Sequence, residues 1–154
     1  MAMGLWHGML HVRLHSLDQR YVMAHKQYTR ICITVCGQEY VRDDWTFDFD
    51  GEVFTRFLTG LTREMRGHGI DIVCERNHDH RIKVNSYADL LNCVRVASDE
   101  SMGTHCIGHV IGKSEHLDIT EDIAAAVRRV AFAPETVAPA GEFRKVCHNC
   151  GCGC

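Results

Sequence analysis

Four thiols and an imidazole fall within the last eight residues: Cys147, His148, Cys150, Cys152 and Cys154. No apolar side chain lies between them. A Cys-x-x-Cys step supplies the two-ligand knuckle of structural zinc sites. Cys-x-Cys steps suit soft ions such as copper(I), or thiolates that bridge metals in a cluster. Gly151 and Gly153 free the backbone to fold back, so several sulfurs can converge on one centre. The segment is therefore expected to hold zinc or copper(I). It lacks the second, distant knuckle of a zinc ribbon, so the density of ligands points to a metal more clearly than to which metal.

Other thiol chemistry fits the same residues. A Cys-x-x-Cys beside a histidine can lower a thiol pKa and act as a thiol–disulfide arm. The ending Cys152-Gly153-Cys154 resembles the doubly prenylated Cys-x-Cys terminus of Rab-type small GTPases. The rest of the chain departs from that family. A phosphate-binding Gly-x-x-x-x-Gly-Lys-Ser/Thr loop is missing; Gly112-Lys113 is preceded by Gly108 with three residues between the glycines.

A second ligand set lies upstream: Cys74, His78 and His80, then His105, Cys106 and His109. Were the two groups on neighbouring strands, they could hold zinc with an open position for water, as in a metal-dependent enzyme. On a strand, His105 and His109 share one face and Cys106 takes the other. Exposed turn histidines and core cysteines give a plainer reading of the same residues. Asp48 and Asp50 share a strand face and form a pair of the kind that binds Mg²⁺, although a solvated face with a helix cap explains them as well. Ser114-Glu115-His116 does not make a triad, because adjacent loop residues do not set nucleophile–base geometry.

The chain of 154 residues suits one domain. Its 45% hydrophobic and 24% charged residues are those of a globular protein. A net charge of −3 argues against a general nucleic-acid binder. Eleven histidines make the charge strongly dependent on pH. The nine cysteines are an odd number, and the first residues do not read as a signal peptide. Reduced thiols and a cytoplasmic location are therefore expected. A run of eighteen apolar residues is absent, so no transmembrane segment is expected.

The elements that must position these groups follow from periodicity. Leu10, Val12 and Leu14 alternate with His11, Arg13 and His15 in a first strand. Residues 28–36 are β-branched and form a second, in which Cys32 and Cys36 stand too far apart to bond. Trp45, Phe47 and Phe49 alternate in a third. Val53, Phe54, Phe57, Leu58, Leu61 and Met65 recur at helical spacing over 52–66, with Asp50 and Gly67 as caps. Residues 70–75 and 81–84 read as a hairpin around Asn77-His78-Asp79. Ser86 and Asp89 make a capping box for a second helix with Tyr87, Leu90, Leu91 and Val94 inward. Residues 104–111 read as a sixth strand. Thr120 caps a third helix through Ile123, Val127 and Val130, stopped by Pro134.

The expected architecture is α+β: a mainly antiparallel sheet of about six strands with three helices on one face. Residues 1–133 form the domain, 134–146 a linker and 147–154 the cysteine-rich tail. Three functional readings follow. One is a non-enzymatic binding or adaptor protein with a metal-capturing tail, which meets a protein partner or itself. Another is a metal-dependent enzyme with the His/Cys site in the domain, and the third treats the tail as a substrate for thiol modification.

Overall fold

The structure, a computed structural model, describes residues 29–99 and 103–137. The first expected strand, most of the linker and the cysteine tail lie outside these residues.

Strand β1 (Thr29–Tyr40) is the centre of the sheet. Ile31, Ile33 and Val35 are buried, while Arg30, Cys32 and Thr34 alternate with them, exposed or half-buried. Helix α1 (Glu52–Gly67) buries Phe54, Leu61 and Met65. Gly51 is its N-cap, one residue later than expected, and His68 its C-cap. Val53 is 67% exposed and does not join the apolar stripe. Strand β2 (Ile70–Val84) follows. Helix α2 (Tyr87–Asn92) carries the expected capping box, with both the Ser86 and Asp89 side chains engaged. Strands β3 (Val94–Ser98) and β4 (His105–Cys106) lead to helix α3 (Ile107–Ile111). Helix α4 (Ile119–Phe132) is capped by Asp118 rather than Thr120; its carboxylate accepts the Thr120 and Glu121 amides. A 3-10 turn at Pro134–Thr136 ends the described chain.

The fold is α+β, but the described sheet has four strands, in the order β2-β1-β3-β4, and is mixed. Pairing is parallel between β1 and β2 and antiparallel between β1 and β3 and between β3 and β4. Four α-helices are described rather than three. The expectation of about six mainly antiparallel strands failed for three physical reasons. First, Trp45, Phe47 and Phe49 do not form a strand. Asp43–Trp45 is a 3-10 turn, and the Phe47 backbone is satisfied by the Tyr40 hydroxyl, which donates to its carbonyl at 2.6 Å and accepts its amide at 3.3 Å. That leaves α1 as the crossover between β1 and β2, and a helical crossover makes the joined strands parallel.

Second, residues 70–84 form one strand rather than a hairpin. The register runs from Cys36 beside Asn77 to Gly37 beside Arg81, so His78, Asp79 and His80 bulge out. Asn77 makes a local turn, its side chain accepting the His80 amide at 3.2 Å. Arg81–Val84 then resumes along β1 in the same direction. Third, residues 104–111 stay extended for two residues only. The Cys106 sulfur accepts the His109 amide at 3.4 Å and starts α3. Val94, read as helical, opens β3 instead.

The helices bring their buried residues to one core with Ile31, Ile33, Val35, Ile82 and Val84. Phe49 packs edge-on against Phe54 at 5.2 Å, and Arg76 lies over the Phe54 ring at 5.5 Å. Arg128 grips Glu64 through two hydrogen bonds of 2.8 and 2.9 Å, tying α4 to α1.

Candidate functional site

The candidate tail ligands Cys147, His148, Cys150, Cys152 and Cys154 lie outside the described residues. The second set is described, and it is dispersed. Cys74 is exposed on β2, beside Ile33 of β1, and borders Leu58, Thr62 and Arg66 of α1. His78 and His80 sit on the β2 bulge. There His78 borders a polar cleft of about 540 Å³ with Thr34, Glu75, Asp79 and Arg95. His105 and His109 come together instead with each other. Their rings stack at 4.8 Å, with 15° between the planes.

That stacking is a product of α3. Four residues along a strand would part the two rings by about 13 Å. The turn after Cys106 brings them face to face within the interior, His105 6% and His109 0% exposed. Burial holds the His105 imidazole below its ordinary pKa, and His109 adds to the effect. Burial there disfavours a charged His105 ring, which would have to give up its hydration. Cys106 is buried as well, and its sulfur serves as the α3 cap. Among the described residues, no group of three or more His, Cys, Asp or Glu side chains is placed to hold a metal ion.

The Asp48–Asp50 pair is occupied in local structure. Asp48 accepts the Asp50 amide at 2.9 Å, and Asp50 pairs with Arg76 at 2.8 Å. Ser114 accepts the Leu117 amide at 3.0 Å, and His116 stands 3.9 Å from Glu115 on the exposed loop.

A polar network that the sequence reading missed joins three elements. The Tyr87 hydroxyl of α2 donates to the Asp122 carboxylate of α4, and the Ser114 hydroxyl bonds the Tyr87 oxygen. Tyr87 and Asp122 are 8% and 7% exposed. Burial pushes the Tyr87 phenol well above its usual range; the Asp122 bond adds to this, and Ser114 opposes it. One signal was present in the sequence: Asp122 falls on the apolar stripe of its helix, between Ile119 and Ala126. A carboxylate on such a stripe needs a donor.

No family model matches the chain, and searches among curated proteins and among solved structures found no match.

Proposed function

We propose that the chain is a small binding or adaptor protein. Residues 29–137 act as a scaffold that folds without metal, and Cys147, His148, Cys150, Cys152 and Cys154 capture zinc or copper(I). The observation that carries this reading is the density of soft ligands, four thiols and an imidazole in eight residues. The placement of the other candidates supports it. His105 and His109 stack with each other, Cys106 caps a helix, and Cys74, His78 and His80 are not gathered around one point. A reducing, cytoplasmic setting would keep the tail as thiolates. Protein partners or a second copy would meet the outer edge of β2, which among the described residues is paired on one side only.

Elemental analysis tests the proposal. The full chain, purified without added metal or chelator, is compared with the same chain ending at Lys145. Near-stoichiometric zinc or copper, lost on truncation, supports the tail as the metal centre. Metal retained by the truncated chain would move the site to Cys74, His78, His80, His105, Cys106 and His109 and favour the enzyme reading. Metal in neither chain would sink both.

A further inference from the structure

Two thiols outside the tail stand opposite each other. The β1–β3 ladder pairs Ile33 with Val96, Thr34 with Arg95 and Val35 with Val94. One step further, the same register sets Cys36 against Cys93. The step is made: the Cys36 amide donates to the Cys93 carbonyl at 2.8 Å. The Cys93 amide turns back to the Leu90 carbonyl, so a single ladder bond joins the pair at the end of α2. Directly opposed residues of an antiparallel ladder hold their Cα atoms about 4.5–5.5 Å apart. That falls within the roughly 4.4–6.8 Å range that a disulfide spans. Both are thiols here, 1% and 0% exposed, and both belong to the same core cluster.

The remaining described cysteines have no such partner position. Cys32 lies beside Val73, and Cys74 beside Ile33, so the two leave opposite faces of the sheet. Cys106 is occupied as the cap of α3.

We propose that Cys36 and Cys93 form a reversible disulfide site that joins β1 to the junction of α2 and β3, with low-molecular-weight disulfides of the glutathione class as the oxidant. This site is independent of the tail. The Cys36 thiolate attacks one sulfur of the small disulfide, breaks its S–S bond and expels one thiolate. The Cys93 thiolate then attacks the Cys36 sulfur of the mixed disulfide, forms the Cys36–Cys93 bond and expels the second small thiolate. The two protons lost by the protein are taken up by the two released thiolates. The protein loses two electrons, and the small disulfide gains them.

Burial pushes the Cys93 thiol up to about 12, with Cys36 and Asp89 adding to the rise, and its S–H donates to the Asp89 carbonyl at 3.4 Å. A thiol raised in this way is a poor first nucleophile, which suits Cys93 to the second step. The junction also has a weak point. Asn92 precedes Cys93, is 1% exposed, and its carboxamide oxygen has no hydrogen-bond partner among the described residues. Both thiols are buried, so the proposed exchange requires local opening of this junction to admit the oxidant.

The test equilibrates the full chain in buffers of graded reduced-to-oxidised glutathione ratio, approached from the native protein and from the reduced, unfolded chain. Remaining thiols are then alkylated and the peptides mapped by mass. The expected result from both directions is a Cys36–Cys93 peptide pair lighter by two hydrogens, released by dithiothreitol. The oxidised full chain should unfold at a higher urea midpoint than the reduced one, and Cys36→Ala or Cys93→Ala should abolish that difference. The proposal is overturned if both residues are alkylated in the most oxidising buffer from either starting state. It is equally overturned if they bond to other cysteines in preference to each other. Metal content plays no part in the readout, so failure of the tail as a metal centre leaves this result unaffected.

Discussion

Tyr87 and Asp122 show how one buried hydrogen bond can tie several elements together. The hydroxyl comes from α2, the carboxylate from α4, and the Ser114 hydroxyl reaches in from the loop between α3 and α4. Removing the donor leaves a buried carboxylate with a lost partner, which costs on the order of 1–3 kcal/mol. Tyr87→Phe should therefore lower unfolding stability by about that amount in urea titrations. Asp122→Asn keeps an acceptor for Tyr87 and should cost less; an equal cost would show that the charge matters rather than the bond. His105 gives a prediction in pH. Its folded pKa is depressed below 6.5 by burial and by His109. As pH falls below 6.5, the unfolded chain binds the proton first. Stability contributed by the neutral ring is then lost progressively, down through the folded pKa. The urea midpoint should fall between about pH 7.5 and about pH 5.5, and His105→Gln should shrink that fall. An unchanged pH profile in the variant would remove His105 as its source.

At the scale of elements, legibility in the sequence followed how local the determining interaction was. Helix α1 was readable because Phe54, Leu61 and Met65 carry the helical period themselves. The capping box of α2 was readable because Ser86 and Asp89 are three residues apart. The β2 bulge was not, because Asn77-His78-Asp79 has the composition of a turn in either case. Only pairing with Gly37–Tyr40 of β1 decides that the chain continues instead of reversing. Phe47 alternates like a strand residue, yet the Tyr40 hydroxyl takes both of its backbone groups. His105 and His109 were flagged as candidates, but their stacking required knowing that Cys106 begins a helix. The loop before α4 carries its own prediction. Leu117 has φ of 54°, in the left-handed region, and is 56% exposed. An L side chain there costs on the order of 1–2 kcal/mol, part of which glycine returns as entropy of the unfolded chain. Leu117→Gly should stabilise the protein by up to about 1 kcal/mol in thermal or urea unfolding. A destabilised variant would show that the leucine's remaining contacts outweigh the strain.

Across the whole molecule, the question is whether folding would be coupled to the proposed metal capture. Small domains that need a metal spend their cysteines and histidines on it, and unfold when it is removed. Here the described core is apolar. Ile31, Ile33, Phe54, Met65, Leu91, Ile107 and Ile123 are all buried to within 2% exposure. Within it, the Tyr87–Asp122 hydrogen bond joins α2 to α4. Cys36 and Cys93 join the core as packed side chains, and Cys106 serves as a cap. A chain built this way should keep its fold when stripped. Treating the full chain with a strong thiol-competing chelator should therefore leave its thermal midpoint and far-ultraviolet circular dichroism unchanged, even as bound zinc or copper(I) is removed. The chain ending at Lys145 should unfold at the same midpoint as the stripped full chain. A midpoint that drops on chelation and recovers on adding zinc would mean that the metal holds the fold together. The division between a metal-independent scaffold and a capturing tail would then have to be given up.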